Sequence, residues 1–383
     1  VTSADLGGAP IAITRNNAGP LAGNVGSVIL PRVSLRHVRE DIVNAYSHQW
    51  IVSYERLLGR DTAVSASYSG TSGKSLYTLE NINRTGTGTK YLGSTATCPG
   101  LSAVNRLSCQ YSNINTRANN GFSNHHGLTF SLRSGNFLNK NLTLATFYTY
   151  AQSKDNLSST FSESGNNFNL GLLDPFNPQL DYGNADFDIR NRWVTNFIYA
   201  LPFDKYLDGA AKTLLGGWQI SGIVNVQSGA PFTIYDCTDA IATVCKRFVP
   251  ITPVSFNISN AAATSGTNSF NVLNLSNQNY VAIADAENGP YPDNMTARNA
   301  FRGPGSWNVD MAASKTFAFS ERYKLVLRAD ANNLFNHANL AIYGGEADLG
   351  AFYNPLTDRT EGAFINAGKF GRRQIAVGAR FIF

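Results

Sequence analysis

The sequence predicts an all-β chain folded as an antiparallel transmembrane β-barrel, and three observations carry that prediction. In the terminal segment Gly371–Phe383, residues Ile375, Val377, Ala379, Phe381 and Phe383 fall on one face of a strand, and Gln374, Ala376, Gly378, Arg380 and Ile382 on the other. A soluble domain seldom ends on an exposed Phe-Ile-Phe, whereas a membrane barrel turns such a face into lipid. No stretch approaches the roughly 18 uncharged apolar residues of a membrane helix, and a mean hydropathy of −0.18 suits strands that are apolar on one side only. The connections between predicted strands alternate short and long along the chain. Membrane barrels sort their connections in this way, with short periplasmic turns and long outer loops. A buried terminal strand in a soluble sandwich is the competing reading of the last segment alone.

Each element follows from its own alternation. Val43–Arg56 places Tyr46, His48, Trp50, Val52 and Tyr54 together, and the turn Leu57–Asp61 leads into Thr62–Ser69, with Val64, Ala66 and Tyr68 outward. A polar stretch from Gly70 to Gly121 reads as a long loop. Phe122–Arg133 then sets Leu128, Phe130 and Leu132 against Thr129, Ser131 and Arg133, and Asn141–Ser153 aligns Leu142, Leu144, Tyr148 and Tyr150. Arg190–Ala200 groups Trp193, Thr195, Phe197 and Tyr199, and Gly217–Ser228 sets Trp218, Ile220, Val224 and Val226 against Gln219, Ser221, Asn225 and Gln227. After the longest loop, 229–297, come Ser306–Phe317 and Arg322–Asn333, the latter with Tyr323, Leu325, Leu327 and Ala329 opposite Lys324, Arg328 and Asp330. With the terminal strand this makes about nine strands of roughly 9–13 residues, the length that tilted membrane strands need. All four Trp fall on the apolar faces near strand ends, where interfacial aromatic girdles sit.

The chain opens on Val1 with no charged-then-apolar leader, and the expectation is a mature or partial chain. A net charge of +5, spread without a dense Lys/Arg stripe, argues against nucleic-acid binding. The four cysteines form two close pairs, Cys98 with Cys109 and Cys237 with Cys245, neither with zinc-ligand spacing nor a neighbouring His. Two local loop disulfides in an oxidising compartment is the reading preferred over free thiols.

Asn184, Asp186, Asp188, Arg190 and Arg192 recur at every second residue, which on one strand would make a charged ladder along a lumen wall. Pairing with neighbouring strands to hold the wall is the preferred role over guiding an ionic solute. His125 and His126, adjacent on a strand, would point to opposite faces and are poor joint ligands. The sequence offers no catalytic residue, no cofactor-binding residue and no metal-ligating set, and the expectation is a non-enzyme without a cofactor.

Several phrases resemble TonB-dependent outer-membrane receptors of the Oar-like type. They are Tyr46-Ser47-His48-Gln49-Trp50 with Tyr54–Gly59, Asp186–Arg192 leading through Asn196–Phe203, Gly216–Gly222 with Gln227–Phe232, Arg298–Gly305 with Asn308-Val309-Asp310, and Asn332–His337. The ordered set spans residues 25 to 383. The resemblance implies the C-terminal part of a barrel of about 22 strands, with the plug, the first strands and the TonB-contacting region outside these residues. It implies uptake of a nutrient or iron chelate, and as partners outer-membrane lipid, the barrel assembly machinery and TonB. Ile375, Val377, Phe381 and Phe383 are the expected lipid face and assembly signal. A secreted, soluble β-rich binding or adhesion module is the alternative.

Overall fold

All nine alternating segments are strands in the computed structural model, which describes residues 23–25, 28–30, 33–83, 111–137, 141–159, 171–236, 246–247, 269–275, 295–342, 346–348, 353–354, 359–360 and 363–383. The wall strands are β1 (Tyr46–Leu58), β2 (Thr62–Asn81), β3 (Tyr111–Asn136), β4 (Leu142–Asp155), β5 (Asn191–Ala200), β6 (Trp218–Gln227), β7 (Ser306–Ala318), β8 (Lys324–Asn332) and β9 (Gln374–Ile382). Each pairs antiparallel with the next in an eleven-stranded sheet, an up-and-down path from β1 to β9. The two further members are short: Val33–Val38 lies parallel on β3, and Gly183–Asn184 lies antiparallel on β4. The path does not close, since β1 and β9 each have one wall neighbour among the described residues.

Register makes the sheet two-faced. One row across it reads Tyr54, Ala66, Phe130, Tyr148, Trp193, Val226 and Trp307. The row one residue away reads Ser53, Ser67, Thr129, Thr149, Arg192, Gln227 and Ser306. A single-residue slip in any strand would exchange its two faces, so a row this consistent ties every strand to the same register. Ladders of side-chain bonds support the polar face, among them Ser65 to Ser131 at 2.6 Å and Thr129 to Thr149 at 3.0 Å. Such cross-strand pairs contribute roughly 0.2–1 kcal/mol each. On the apolar face the polar tips of the aromatic residues find partners: Trp193 Nε1 donates to Thr146 Oγ1 at 2.8 Å, and the Tyr148 hydroxyl donates to Asn191 Oδ1 at 2.7 Å.

The apolar face is uncovered. On strands with a neighbour on each side, Phe130, Tyr148, Trp193 and Leu327 are still 47%, 41%, 47% and 41% exposed, values that no soluble core residue shows. In a membrane barrel this is the face that meets lipid, and the polar face lines the lumen. Gly70 lies beneath the Trp50 indole, which occupies the space a Cβ would need. Trp50, Tyr68 and His126 gather around it, the Tyr68 hydroxyl bonding His126 Nδ1 at 2.8 Å.

Connections sort by end. At one end β1–β2 turn through 59–61, where Gly59 supplies φ +76°, and β3–β4 and β7–β8 are joined by 137–141 and 319–323. The β5–β6 connection at that end folds as a 3-10 turn, Pro202–Lys205, and a helix α1, Gly209–Leu215. At the opposite end β2 leads to β3, β4 to β5, β6 to β7 and β8 to β9 by the longer connections, which in membrane barrels mark the outer end. The connections expected as loops at 229–297 and 346–373 contain strands, Pro231–Asp236, Ser269–Leu275 and Ala363–Phe370, whose pairing partners lie far along the chain. The wall also departs from the sequence expectation. The stretch after Gly70 is not a loop at its start: β2 runs on to Asn81 and β3 begins at Tyr111, so this hairpin stands well beyond its neighbours. Thr71 to Ser75 are polar or small on both sides, so no period-two contrast marks the start of the extension, and the register shifts at Gly73, Leu76 and Thr78 break the alternation further. The strand Val33–Val38 was also unforeseen; beyond it Arg39 pairs with Asp41 at 2.5 Å as the chain crosses to β1.

Candidate functional site

At the outer end, β4 stops at Asp155 and the connections packed over it carry a cluster of buried charges. Arg298 is fully buried. Its Nε donates to the Asp181 carbonyl at 3.1 Å, and one terminal nitrogen donates to Ser158 Oγ and Asp186 Oδ1, each at 3.2 Å. The other donates to the Asp155 carbonyl at 2.9 Å and to the Asp155 carboxylate. Next to it Asn299, held at φ 53°, donates from Nδ2 to the Asn184 carbonyl at 2.8 Å and to Asp186 Oδ1 at 2.7 Å. Arg302 bonds the carboxylate of Asp188 and its carbonyl, and Asp188 Oδ1 accepts from the Ser153 backbone at 2.6 Å. On the far side Arg247 pairs with Asp181 at 2.5 Å and donates to the Leu180 carbonyl at 2.6 Å.

The cluster joins three chain segments that are distant in sequence. Phe301–Arg302 pairs antiparallel with Phe232–Pro231, and the Phe232 and Phe301 rings lie 5.8 Å apart. Backbones approach closely here: a Cβ on Gly229 would collide with the Gly303 carbonyl oxygen, and one on Gly183 with that of Arg298. Gly229→Ala is accordingly expected to cost about 1–3 kcal/mol through overpacking. A chemical unfolding titration in detergent micelles checks this, with Gly135→Ala, where a Cβ meets nothing, as the near-neutral control.

The expected ladder is corrected by this geometry. Asp186 and Phe187 form a turn, and β5 begins only at Asn191, so Asn184 to Arg192 is not one strand face. Alternate spacing mimicked a strand, but the carboxylates fold back as acceptors for backbone and arginine donors. Asp186 serves Arg298 and Asn299, while Asp188 serves Arg190, Arg302 and Ser153. Arg192 stands apart, on the polar face of β5 beside Thr149 and Gln227. His125 and His126 do point to opposite faces, to Ser153 Oγ at 2.8 Å and to the Tyr68 hydroxyl. The roles of Arg298, Asn299 and Arg302 were missed. Their phrase was noted only for resemblance, and its one local sign was Arg-Asn-x-x-Arg among glycines and a proline. The two cysteine pairs lie outside the described residues.

Lower on the polar face, Asn196, Ser221, Asp310, Arg328 and Asp330 line a groove of about 430 Å³. Arg328 pairs with Asp330 at 2.7 Å with both groups half exposed, and Asp310 accepts from Asn308 Nδ2 and the Asn333 backbone, each at 2.7 Å. This surface can exchange hydrogen bonds with a polar solute in the lumen. Beyond the end of β8 the His337 ring stacks on Trp307, which belongs to the apolar row, with centroids 4.0 Å apart, and burial lowers its pKa below the ordinary histidine value. The unfolded chain then takes up the proton first, so stability is full above about pH 6.5 and declines as pH falls below it. An imidazole NMR titration should place the His337 midpoint below that value, and His337→Phe should flatten this part of the stability profile.

Residues 1–378 match the family described as an outer membrane beta barrel domain. The chain belongs to that family. It is an integral protein of the bacterial outer membrane, and the exposed apolar face of its wall leaves the soluble-module alternative without support. Solved structures similar to it include the outer membrane transporter YddB from Escherichia coli, at 12% identity over 92% of this chain with a TM-score of 0.44. BauA, the ferric preacinetobactin receptor from Acinetobacter baumannii, is 14% identical over 96% of this chain with a TM-score of 0.38. The FrpB iron transporter from Neisseria meningitidis is 10% identical over 91% of this chain with a TM-score of 0.37. The barrel chain spans about a third of those structures, covering 35%, 32% and 33% of them respectively. No curated protein sequence matches it.

Proposed function

We propose that this chain is the C-terminal wall of a TonB-dependent outer-membrane receptor of the Oar-like type, in a barrel of about 22 strands. The whole receptor would take up a nutrient or an iron chelate and would carry out no catalysis. Its plug and TonB-contacting region belong to the part of the protein before these strands. The observation that carries the reading is the convergence of three phrases of the resemblance. Asp186–Arg192, Gln227–Phe232 and Arg298–Gly305 pack into one buried cluster, so their joint occurrence has a structural cause. The unpaired edges of β1 and β9 suit a wall completed by further strands of the same protein, since an open edge within lipid leaves backbone groups unsatisfied.

Photo-crosslinking of the full-length receptor in cells tests the proposal. A crosslink to TonB is expected, together with loss of that crosslink when the segment preceding the plug is deleted. A full-length receptor that assembles in the outer membrane and never crosslinks to TonB would contradict the transporter reading.

A further inference from the structure

Beyond the end of β4, Val33–Val38 and the β2–β3 hairpin make a three-stranded extension at the outer end, with β3 in the middle. Its two faces differ. Thr78, Glu80, Ile114, Thr116 and Ala118 are buried on one of them, where the chain at Gly171 packs so closely that a Cβ would meet the Glu80 side chain at 3.0 Å. Arg36, Leu79, Asn115 and Arg117 fall on the other, Arg36 opposite Asn115 and Leu79 opposite Arg117, and they line a cavity of about 280 Å³.

The cavity is cationic, and its polar groups lack partners. Neither the Arg36 nor the Arg117 guanidinium has an ion pair or a hydrogen bond among the described residues, and none of those residues brings a carboxylate to the space. Glu80 lies on the opposite face with its oxygens bonded by Thr78 and Asn120, and Asp41 is paired with Arg39. Asn115 Oδ1 is buried without a donor. Like charges on neighbouring strands repel, and a buried acceptor left without its hydrogen bond is costly. One ligand relieves both faults if it brings negative oxygens together with a proton to donate. We propose that this cavity binds a phosphate group from outside the cell. The Arg36 and Arg117 forks take its charged oxygens, and its remaining hydroxyl donates to Asn115 Oδ1. A phosphate that keeps one proton supplies both the charge and the donor, whereas an ionised carboxylate can only accept. Inorganic phosphate and the phosphate of a lipopolysaccharide headgroup share this chemistry. The inference rests on the orientation of the barrel in the outer membrane and not on the transport proposal.

Calorimetric titration of the full-length protein in detergent micelles with inorganic phosphate, at neutral pH and low salt, tests it. Saturable binding of a single phosphate is expected. Arg117→Gln removes one fork, and Asn115→Asp puts a carboxylate into the cavity at almost unchanged size. Each should weaken the binding about ten-fold or more. Heat-modifiable gel migration reports that each variant is folded, and both positions stand beyond the wall. Competition then identifies the source. Displacement of phosphate by intact lipopolysaccharide, and not by its dephosphorylated form, supports a headgroup phosphate; displacement by neither supports a soluble one. A wild-type protein that takes up no phosphate, or folded variants that keep the wild-type affinity, would overturn the proposal. None of these outcomes depends on TonB, so the site can fail while the transport reading stands.

Discussion

Replacing Arg298 with methionine should destabilise the barrel by about 3–5 kcal/mol, the usual cost of removing one partner from a buried ion cluster. Methionine fills much of the volume, so the loss is chiefly electrostatic. The Asp155 carboxylate, left with the Ser158 hydroxyl, and the Asp181 and Asp155 carbonyls would keep their burial and lose the guanidinium. Lysine should recover only a small part, because one ammonium cannot reach acceptors that a planar guanidinium contacts on three sides. Two measurements check this. Urea unfolding in micelles reads the stability, and limited proteolysis of cells reads the outer end, where 156–190 and 228–305 should become susceptible before the wall strands do. An Arg298→Met barrel as stable and as protease-resistant as wild type would remove the cluster from the account.

The second large effect separates the two faces of one strand. Leu327 lies on the apolar face of β8 and is 41% exposed, while its neighbour Val326 points to the polar face opposite Thr316 and Arg380. Arginine at Leu327 should cost about 2–4 kcal/mol if the position is near the bilayer midplane. Arginine at Val326 enters a wet, polar surface and should cost much less. Folding titrations into lipid vesicles give both values on one scale. The pair is informative because the substitutions are adjacent in sequence and identical in chemistry, and differ only in the face they occupy.

Much of the wall was legible because its signal is local. Side chains alternate with period two: Leu128, Phe130 and Leu132 of β3 alternate with Thr129, Ser131 and Arg133, and Trp307, Val309 and Met311 of β7 with Asn308 and Asp310, so strand and face can be read together. Where that contrast fades, the reading fails. Thr71, Ser72, Gly73, Lys74 and Ser75 are polar or small on both faces, and the extension of β2 through them was read as loop. Helix α1 is too short to show a helical period, and what fixes it lies on another strand, in the carbonyl bonds from Lys315. The charged run at Asp186 to Arg192 misled for the opposite reason, since its spacing is strand-like while its carboxylates are taken by donors far along the chain. Arg298 and Asp155 stand 143 residues apart, and no local pattern can announce such a pair. The resemblance marked the phrases that meet there without saying that they meet.

Whether the wall spans a membrane with its aromatic face in lipid is the claim on which the rest depends. A spin-label accessibility scan through residues 324–332 in lipid vesicles tests it most directly. Labels at Leu325, Leu327, Ala329 and Ala331 should be relaxed by oxygen dissolved in the bilayer, and those at Lys324, Val326, Arg328 and Asp330 by a water-soluble nickel chelate. The two profiles should oscillate out of phase with a period of two. Uniform access to the nickel chelate along the strand, or oscillation in phase, would contradict a membrane wall.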